Sequence, residues 1–545
     1  MEAKRSEEYG ARVRHAGLAL AVHADAFRAA PRAYLTACWW WLKRKRVRAR
    51  AQFATLLGTS PRAYALWALR RTRAERRQTK EDDRAAEAGV PPIVALVDAG
   101  ADESGLDTTL RSLAGEGIEA LVIGRQGPAD ALIDWSAGCW AMPITAGDRV
   151  ATGTASAYRR AVTEAGEDVR LIYADDDQID RWGRFGTPHF KPDWNSELFR
   201  HFDYLTGACI LRLGKDDLAA AKAGDWARQL VARVAGQGTP VHLREMLHHR
   251  CVRAAPIIPA PITTFAHDLP PVSVIVPTRN HVDLLRTCVE GVATTDYPDI
   301  ELIIVDNDSD DPETLDYLNA VGGTTPGLRV KILRHAGPFN YSAINNRAAK
   351  VAHGRLLCLL NNDIEMTEPR WLATMVLQAL RPDVGAVGAR LLYPDGRVQH
   401  AGVVIGMGNA AGHAHRFLVP IEEGYFYRHA LPQFTSAVTA ACLLVQRERF
   451  FAVGGFNERD FAVAFNDVDL CLRLNQRGWQ SFYEPRATLI HHESVSRGLD
   501  RDPVGAARFA GELAALQRLW RTDSVTDPFS HPELSRVTER FTIAM

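Results

Sequence analysis

Residues 272–277, VSVIVP, run into Thr278-Arg279-Asn280. Residues 301–305, ELIIV, run into Asp306-Asn307-Asp308-Ser309, and residues 355–360, RLLCLL, run into Asn361-Asn362-Asp363. Each is a short apolar strand pattern that stops at a polar cluster, and helix-length segments separate the three. The stretch from Val272 to Asp363 therefore reads β-α-β-α-β-α-β with a parallel sheet. In an open parallel sheet, ligands bind in the crevice outside the carboxyl ends of the strands, and all three clusters fall on that edge. No Gly-x-Gly-x-x-Gly loop and no Walker-type lysine loop is present, so the fingerprints for dinucleotides and for ATP are missing. Carboxylates and amides suit instead a sugar, a ribose and a divalent cation held by oxygen ligands. That is the chemistry of a nucleotide-sugar site.

The 545 residues allow two to four domains, each able to bury a core. Apolar content of 46% and charged content of 24% are ordinary for a globular chain. Formal charge is zero overall, but residues 1–80 hold 19 Lys and Arg against 5 Asp and Glu. Eight cysteines lie scattered with no Cys-x-x-Cys pair, several inside apolar runs, which reads as buried free thiols in a reducing cytoplasm. The opening MEAKRSEEYG has no cleavable apolar region, and no uncharged apolar run reaches the length that spans a bilayer.

Cys38-Trp39-Trp40-Trp41-Leu42 is followed at once by Lys43-Arg44-Lys45-Arg46-Val47-Arg48-Ala49-Arg50. Three readings of this run stand: an interfacial helix on anionic lipid, a helix packed on the next domain with solvated arginines, or a nucleic-acid patch. Aromatics beside a polybasic run favour the first. Peripheral membrane contact through residues 34–50 is therefore expected, with no nucleic-acid partner.

Composition divides the chain. Residues 1–85 read as a basic helical segment, 91–254 as an α/β domain opening with Pro91-Pro92 and IVALVD, and 255–270 as a Pro-rich linker. Residues 271–525 form the domain with the three clusters, and 526–545 read as a tail. The two α/β units look duplicated: TGACIL at 206–211 resembles TAACLL at 439–444, and His248-His249 matches His491-His492. The first unit offers Gly124-Arg125-Gln126-Gly127 and Ala146-Gly147-Asp148 where the second has Asp306-Asn307-Asp308 and Asn361-Asn362-Asp363. It is expected to be degenerate, structural or acceptor-binding. Its Asp175-Asp176-Asp177 run reads either as a solvated turn or as a metal site.

Transfer from a nucleotide sugar needs cationic help for the departing diphosphate, polar partners for the nucleoside, and a carboxylate to take the acceptor proton. Asp363, closing the third strand, is the leading metal ligand, and Mn²⁺ or Mg²⁺ is the cofactor expected. Pro277, Thr278, Asn280, Asp306, Asp308 and Asn362 make the donor floor. Asn340 and Asn346, around a helix start, either contact the donor or, for Asn340, simply cap the helix. Asp467 in FNDVD (465–469) is the candidate base; Asn466 and Asp469 sit at N-cap and capping-box positions. In HHESVSRG (491–498) one histidine is a metal ligand, His491 before His492, and Arg497 suits a diphosphate. Residues 395–440 read as a Gly/His-rich acceptor wall.

These residues resemble the inverting family 2 glycosyltransferases with the GT-A fold, closest to the rhamnosyltransferase-like, O-antigen and capsule branch of bacteria. PTRN (277–280), VDNDS (305–309), LNND (360–363), TAACLLV (439–445), GGFNE (454–458), FNDVDLCLR and HHESVSRG carry the likeness in order. LIYADDDQID and FKPDWNSEL (171–198) extend it into the first unit. The resemblance implies a Rossmann-like α/β catalytic domain in tandem with a degenerate relative. It implies Asp363 closing a DxD-like element, Asp306 on the nucleoside, Asp467 as base, and His491 beside metal and diphosphate. Here that element is Asn-Asn-Asp, one carboxylate short. The implied donor is UDP- or dTDP-linked and the acceptor a surface or polyprenyl-linked glycan. The expected location is cytoplasmic, at the inner face of the cell membrane. The alternative is a non-catalytic, glycan- or nucleotide-binding scaffold.

Overall fold

The computed structural model describes residues 2–71, 92–100, 105–123, 139–214, 216–217, 225–265, 268–321, 328–492 and 502–545. Three helices come first, α1 (Glu2–Ala29), α2 (Pro31–Leu42) and α3 (Arg46–Gly58), followed by a short one at 63–71. His23, Phe27, Tyr34 and Phe53 meet edge-on across α1–α3 at 5.3–6.0 Å between ring centres. The apolar side chains of the α2–α3 tip are not so covered: Trp39, Trp41, Leu42 and Val47 are exposed.

The first α/β unit contains β1 (Ile93–Asp98), β2 (Glu119–Val122), β3 (Trp140–Thr145), β4 (Arg149–Val150), β5 (Leu171–Ile179), β6 (Phe185–His189), β7 (Cys209–Arg212) and β8 (Val241–Arg250). Its strand order is β2-β1-β3-β7-β5-β8-β4. The second contains β9 (Val272–Thr278), β10 (Ile300–Asp306), β11 (Arg329–Arg334), β12 (Leu356–Leu360), β13 (Ile364–Met366), β14 (Val384–Leu392), β15 (Val398–His400), β16 (Val403–Ile405), β17 (Ala411–His413), β18 (Gln433–Thr435), β19 (Cys442–Gln446) and β20 (Gln480–His491). Its order is β11-β10-β9-β12-β19-β14-β20-β13.

Apart from the extra edge strand β11, the two orders correspond strand for strand, and so do the directions. β7 and β19 are antiparallel to both neighbours. The pairs β5/β8 and β14/β20 are parallel, and β4 and β13 close each sheet antiparallel. TGACIL and TAACLL enter β7 and β19 at the same point, Cys209 and Cys442.

The apolar runs become central strands because both faces are covered: β9, β10 and β12 are buried along their whole length. The expected parallel sheet holds for β11-β10-β9-β12. Beyond β12 the sheet is mixed. Register levels the strand ends, with Asp306 opposite Thr278 and Leu359 opposite Ile275, so the three clusters share one edge.

The linker and tail are bound to the body. Ile257 N donates to His201 O at 2.7 Å. Leu534 and Phe541 of the C-terminal strap pack with Tyr64, Trp67, Phe190, Val404, Met407 and Ala414. Residues 526–545 are thus a strap joining the helical segment and both α/β units, and the reading of them as a tail is corrected. Nothing in their composition shows this, because they form no periodic element.

Candidate functional site

The strand-end edge of the second unit opens into a cavity of about 560 Å³. Pro277, Thr278, Asn362, Asp363, Asp467 and His491 line it together, with Asn361, Gln399, His413, Arg416 and Arg508 among the remaining walls. On the floor, Asn362 Nδ2 donates to Thr278 Oγ1 at 3.1 Å, tying β12 to β9. Asp363 is buried; its Oδ1 lies 3.1 Å from His491 Nε2 and meets no hydrogen-bond donor. His491 Nδ1 donates to Gln399 Oε1 at 2.6 Å. His492 turns away to Glu365 at 2.9 Å, so His491 is the histidine that faces the cavity.

Asp467 sits in the first turn of the helix Asn466–Gln476. The expected cap is corrected: Asn466 is the first helical residue and donates to Val463 O at 2.9 Å. The chain enters the helix through Phe465, which is left-handed at φ +61°, and no side chain caps it. Asp469 is not a capping-box partner either, since Trp520 Nε1 at 2.9 Å and Arg473 at 2.8 Å take its carboxylate. Asp467 Oδ2 accepts from Ala440 N at 3.0 Å and Oδ1 from Val468 N at 2.8 Å. Burial raises its pKa above the ordinary aspartate value, although the Ala440 and Val468 amides and the Thr439 hydroxyl pull the other way. A helix start alone would lower its basicity. Desolvation outweighs that here.

Other expected donor residues are engaged elsewhere. Asp306 is buried off the cavity; its carboxylate pairs with Arg334, its cross-strand neighbour on β11, and accepts from Ser309 N at 3.2 Å. Asp308 accepts from Gly337 N at 2.8 Å. Asn280 binds Asp310 through its amide and accepts from the Asp310 and Asp311 amides, bracing the two loops. Asn340 caps the helix Tyr341–Val351, accepting from Ala343 N at 2.9 Å, and donates to Glu458 O at 3.1 Å. Asn346 is spent on Phe456 and Glu458. None of these five lines the cavity. Arg497 lies outside the described residues, as do Gly124–Gly127.

Arg508 was not legible as a site residue, since it comes from a C-terminal helix, Pro503–Trp520, without a polar motif. Glu512 of that helix accepts from Val463 N at 2.8 Å and Ala464 N at 3.2 Å, holding the loop that leads into Asp467.

The corresponding place in the first unit is filled by the protein itself. Asp148 and Asp363 each directly precede the closing strand, while His249 and His491 pair with its first residue. Yet His249 turns to Asp177 at 2.6 Å, and Arg250 Nε comes to 3.8 Å from Asp148. The Arg250 guanidinium lies where a Cβ on Gly207, the counterpart of Ala440, would come within 2.8 Å of it. Burial pushes the Asp148 pKa up to about 6 despite Arg250. The matching helix, Trp226–Ala235, has no carboxylate in its first turn.

Asp175, Asp176 and Asp177 are neither a solvated turn nor an open site. All three are buried on β5, and each has its own cationic or proton-donating partners. Lys191 at 2.7 Å and Arg253 pair with Asp176, and Tyr64 and His249 bind Asp177. Asp175, His242 and His531 bring ligand-type atoms within 4.8 Å of one another, a possible metal triad. Hydrogen bonding argues for an ion-pair clasp there. His242 faces carboxylates through both nitrogens, Asp175 at 3.0 Å and Asp193 at 3.1 Å, so both donate. His531 Nδ1 accepts from Glu533 N at 3.1 Å, and its Nε2 lies 3.0 Å from Asp175 without hydrogen-bond geometry.

The pattern of glycosyl transferase family 2 matches residues 273–427. Among curated relatives, an uncharacterized protein y4gI of Sinorhizobium fredii is 38% identical over 431 residues, covering 70% of this chain and 47% of the relative. The O-antigen biosynthesis protein RfbC of Myxococcus xanthus is 38% identical over 414 residues, covering 68% of this chain and 32% of that one. The chain thus spans less than half the length of either. Among solved structures, the mannosyltransferase PcManGT of Pyrobaculum calidifontis, in complex with GDP-Man and Mn²⁺, matches 46% of this chain and 65% of its own at 19% identity and a TM-score of 0.35. Strands β10 to β17 and nearly all of β9, with Thr278, Asp363 and the wall at Gln399, fall inside the stretch that matches glycosyl transferase family 2.

Proposed function

We propose that the chain transfers a sugar, with inversion, from a UDP- or dTDP-linked donor to a hydroxyl of a surface or polyprenyl-linked glycan. One observation carries the reading: a candidate base, Asp467, shares a single cavity with Asp363 and His491 and with the Thr278–Asn362 floor. Asp467 takes the acceptor proton as the acceptor oxygen attacks the anomeric carbon opposite the leaving diphosphate. Its raised pKa makes it a better base than an exposed carboxylate. The Ala440 and Val468 amides hold the carboxylate in one orientation. Arg279 and Arg508 on the cavity wall supply positive charge for the diphosphate.

Asp363 and His491 would hold Mn²⁺ or Mg²⁺. The orphaned Asp363 oxygen beside an imidazole nitrogen fits a cation, and the mixed donor set favours Mn²⁺, since Mg²⁺ prefers oxygen throughout. When bound, the ion would offset charge on the leaving group. His413 and Arg416, also on the wall, come from the stretch expected to meet the acceptor. Screening UDP- and dTDP-sugars for Mn²⁺-stimulated release of the nucleoside diphosphate tests the assignment; no release from any donor opposes it.

The same reading places the protein at the inner face of the cell membrane. No helix among the described residues is long and apolar enough to cross one. At the α2–α3 tip, exposed Trp39, Trp41, Leu42 and Val47 stand beside six basic side chains between Lys43 and Arg50, each worth about 1 kcal/mol at an anionic surface. Sedimentation with phosphatidylglycerol vesicles, lost in Trp39→Ser/Trp41→Ser, supports this; equal sedimentation of the variant refutes it.

A further inference from the structure

Gln399 lies on β15, and its side chain is buried against the histidine at the end of β20. Both ends of its amide meet His491: Oε1 sits 2.6 Å from Nδ1, and Nε2 points at His491 O at 3.4 Å. A carboxamide oxygen only accepts, so the proton of the neutral imidazole must reside on Nδ1. Nε2 then carries a lone pair, aimed 3.1 Å toward Asp363 Oδ1, itself buried and without a donor. In that neutral form two electron-rich atoms at that separation repel one another. Asn361 Nδ2, at 3.4 Å, gives Nε2 only a long contact. A cation between them turns the repulsion into ligation.

We infer that Gln399 is a positioning residue for the metal: it fixes the His491 tautomer so that Nε2 and Asp363 Oδ1 present paired lone pairs to one divalent ion. This rests on the assignment of Asp363 and His491 as ligands and deepens it. An imidazole ligand that donates its other N–H to an acceptor is held in tautomer and ring angle, and loss of that acceptor typically weakens metal binding 10–100-fold. Sequence gives no hint of it, because a single glutamine in a three-residue strand carries no motif.

The test titrates Mn²⁺ into the full-length protein with UDP, and separately with dTDP, following loss of the free-ion paramagnetic resonance signal. Gln399→Leu, which fills the same space without an acceptor, is expected to loosen Mn²⁺ roughly 10–100-fold. Gln399→Glu keeps an acceptor for Nδ1–H and is expected to bind Mn²⁺ well above the leucine variant, restoring what leucine loses. Thermal unfolding of each variant is read alongside. Unchanged Mn²⁺ affinity in Gln399→Leu overturns the inference, as does a Gln399→Glu protein that folds yet binds Mn²⁺ no better than the leucine variant. Asp363→Ala separates the two levels. If it binds Mn²⁺ as wild type does, the metal assignment itself fails; if it loses Mn²⁺ while Gln399→Leu keeps it, only the role of Gln399 fails.

Discussion

At the scale of single residues, environment decides which of the polar strand ends can work. Asp306 and Asp363 both end apolar strands in sequence, yet the first is met by Arg334 across the β10–β11 ladder, while Oδ1 of the second makes no hydrogen bond among the described residues. That difference was not readable beforehand, because the register that sets Arg334 opposite Asp306 depends on pairing across a long connection. Thr278, Asp363, Asp467 and His491 were readable, since each ends or begins an element at a sharp apolar-to-polar boundary. Asp467 shows what burial does to a base. Its raised pKa predicts that the acid limb of the kcat/KM profile has its midpoint above 3.8, the ordinary aspartate value. The sign follows from the need for the deprotonated form: activity falls as pH drops through the raised pKa. An acid limb at or below 3.8 speaks against Asp467 as the base.

At the scale of elements, the apolar runs predicted β9, β10 and β12 and their parallel pairing. They could not predict β19, which enters antiparallel between β12 and β14. A fully buried strand looks the same in either direction, so the apolar pattern of TAACLLV is silent on polarity. The helix Pro503–Trp520 was also unassigned, although it braces the site. Glu512 serves two amides in the loop before Asp467, and Trp520 holds Asp469 in the same helix as the base. Glu512→Ala leaves both amides without their acceptor, with an expected cost of about 1–3 kcal/mol. Denaturant unfolding should show the loss and turnover should fall with it. Unchanged stability would mean that the brace contributes nothing.

At the scale of the whole molecule, two copies of one topology carry different burdens. The repeated TGACIL and TAACLL strands pointed to the duplication; the histidine pairs match one residue out of step, since His249 and not His248 takes the place of His491. What occupies the strand-end edge of the first copy, Arg250 against Gly207 and Asp148, is a contact between distant segments and left no mark on the motifs. Calorimetric titration with the productive nucleotide and Mn²⁺ should therefore give one site per chain; two equal sites would contradict the filled first copy. The strap secures the assembly through His531 beside Asp175 and His242. Burial would lower the His242 pKa, but Asp175 and Asp193 raise it overall above 6.5. Its stabilisation is complete below 6.5 and lost as pH rises through the raised value. Asp175 works the other way: burial would raise its pKa, but the two histidines hold it below 3.8, so its share is present above 3.8 and lost in acid. Thermal stability should fall on the alkaline side of this window, and His242→Gln should flatten that fall. An identical slope in the variant would remove the clasp from the account.

If one carboxylate in this cavity drives sugar transfer, Asp467→Asn removes the base and little else. Donor affinity and nucleoside diphosphate release are measured side by side on the same preparation. Release about 10²–10⁴-fold slower at unchanged donor affinity is the predicted result. Release at the wild-type rate would contradict it.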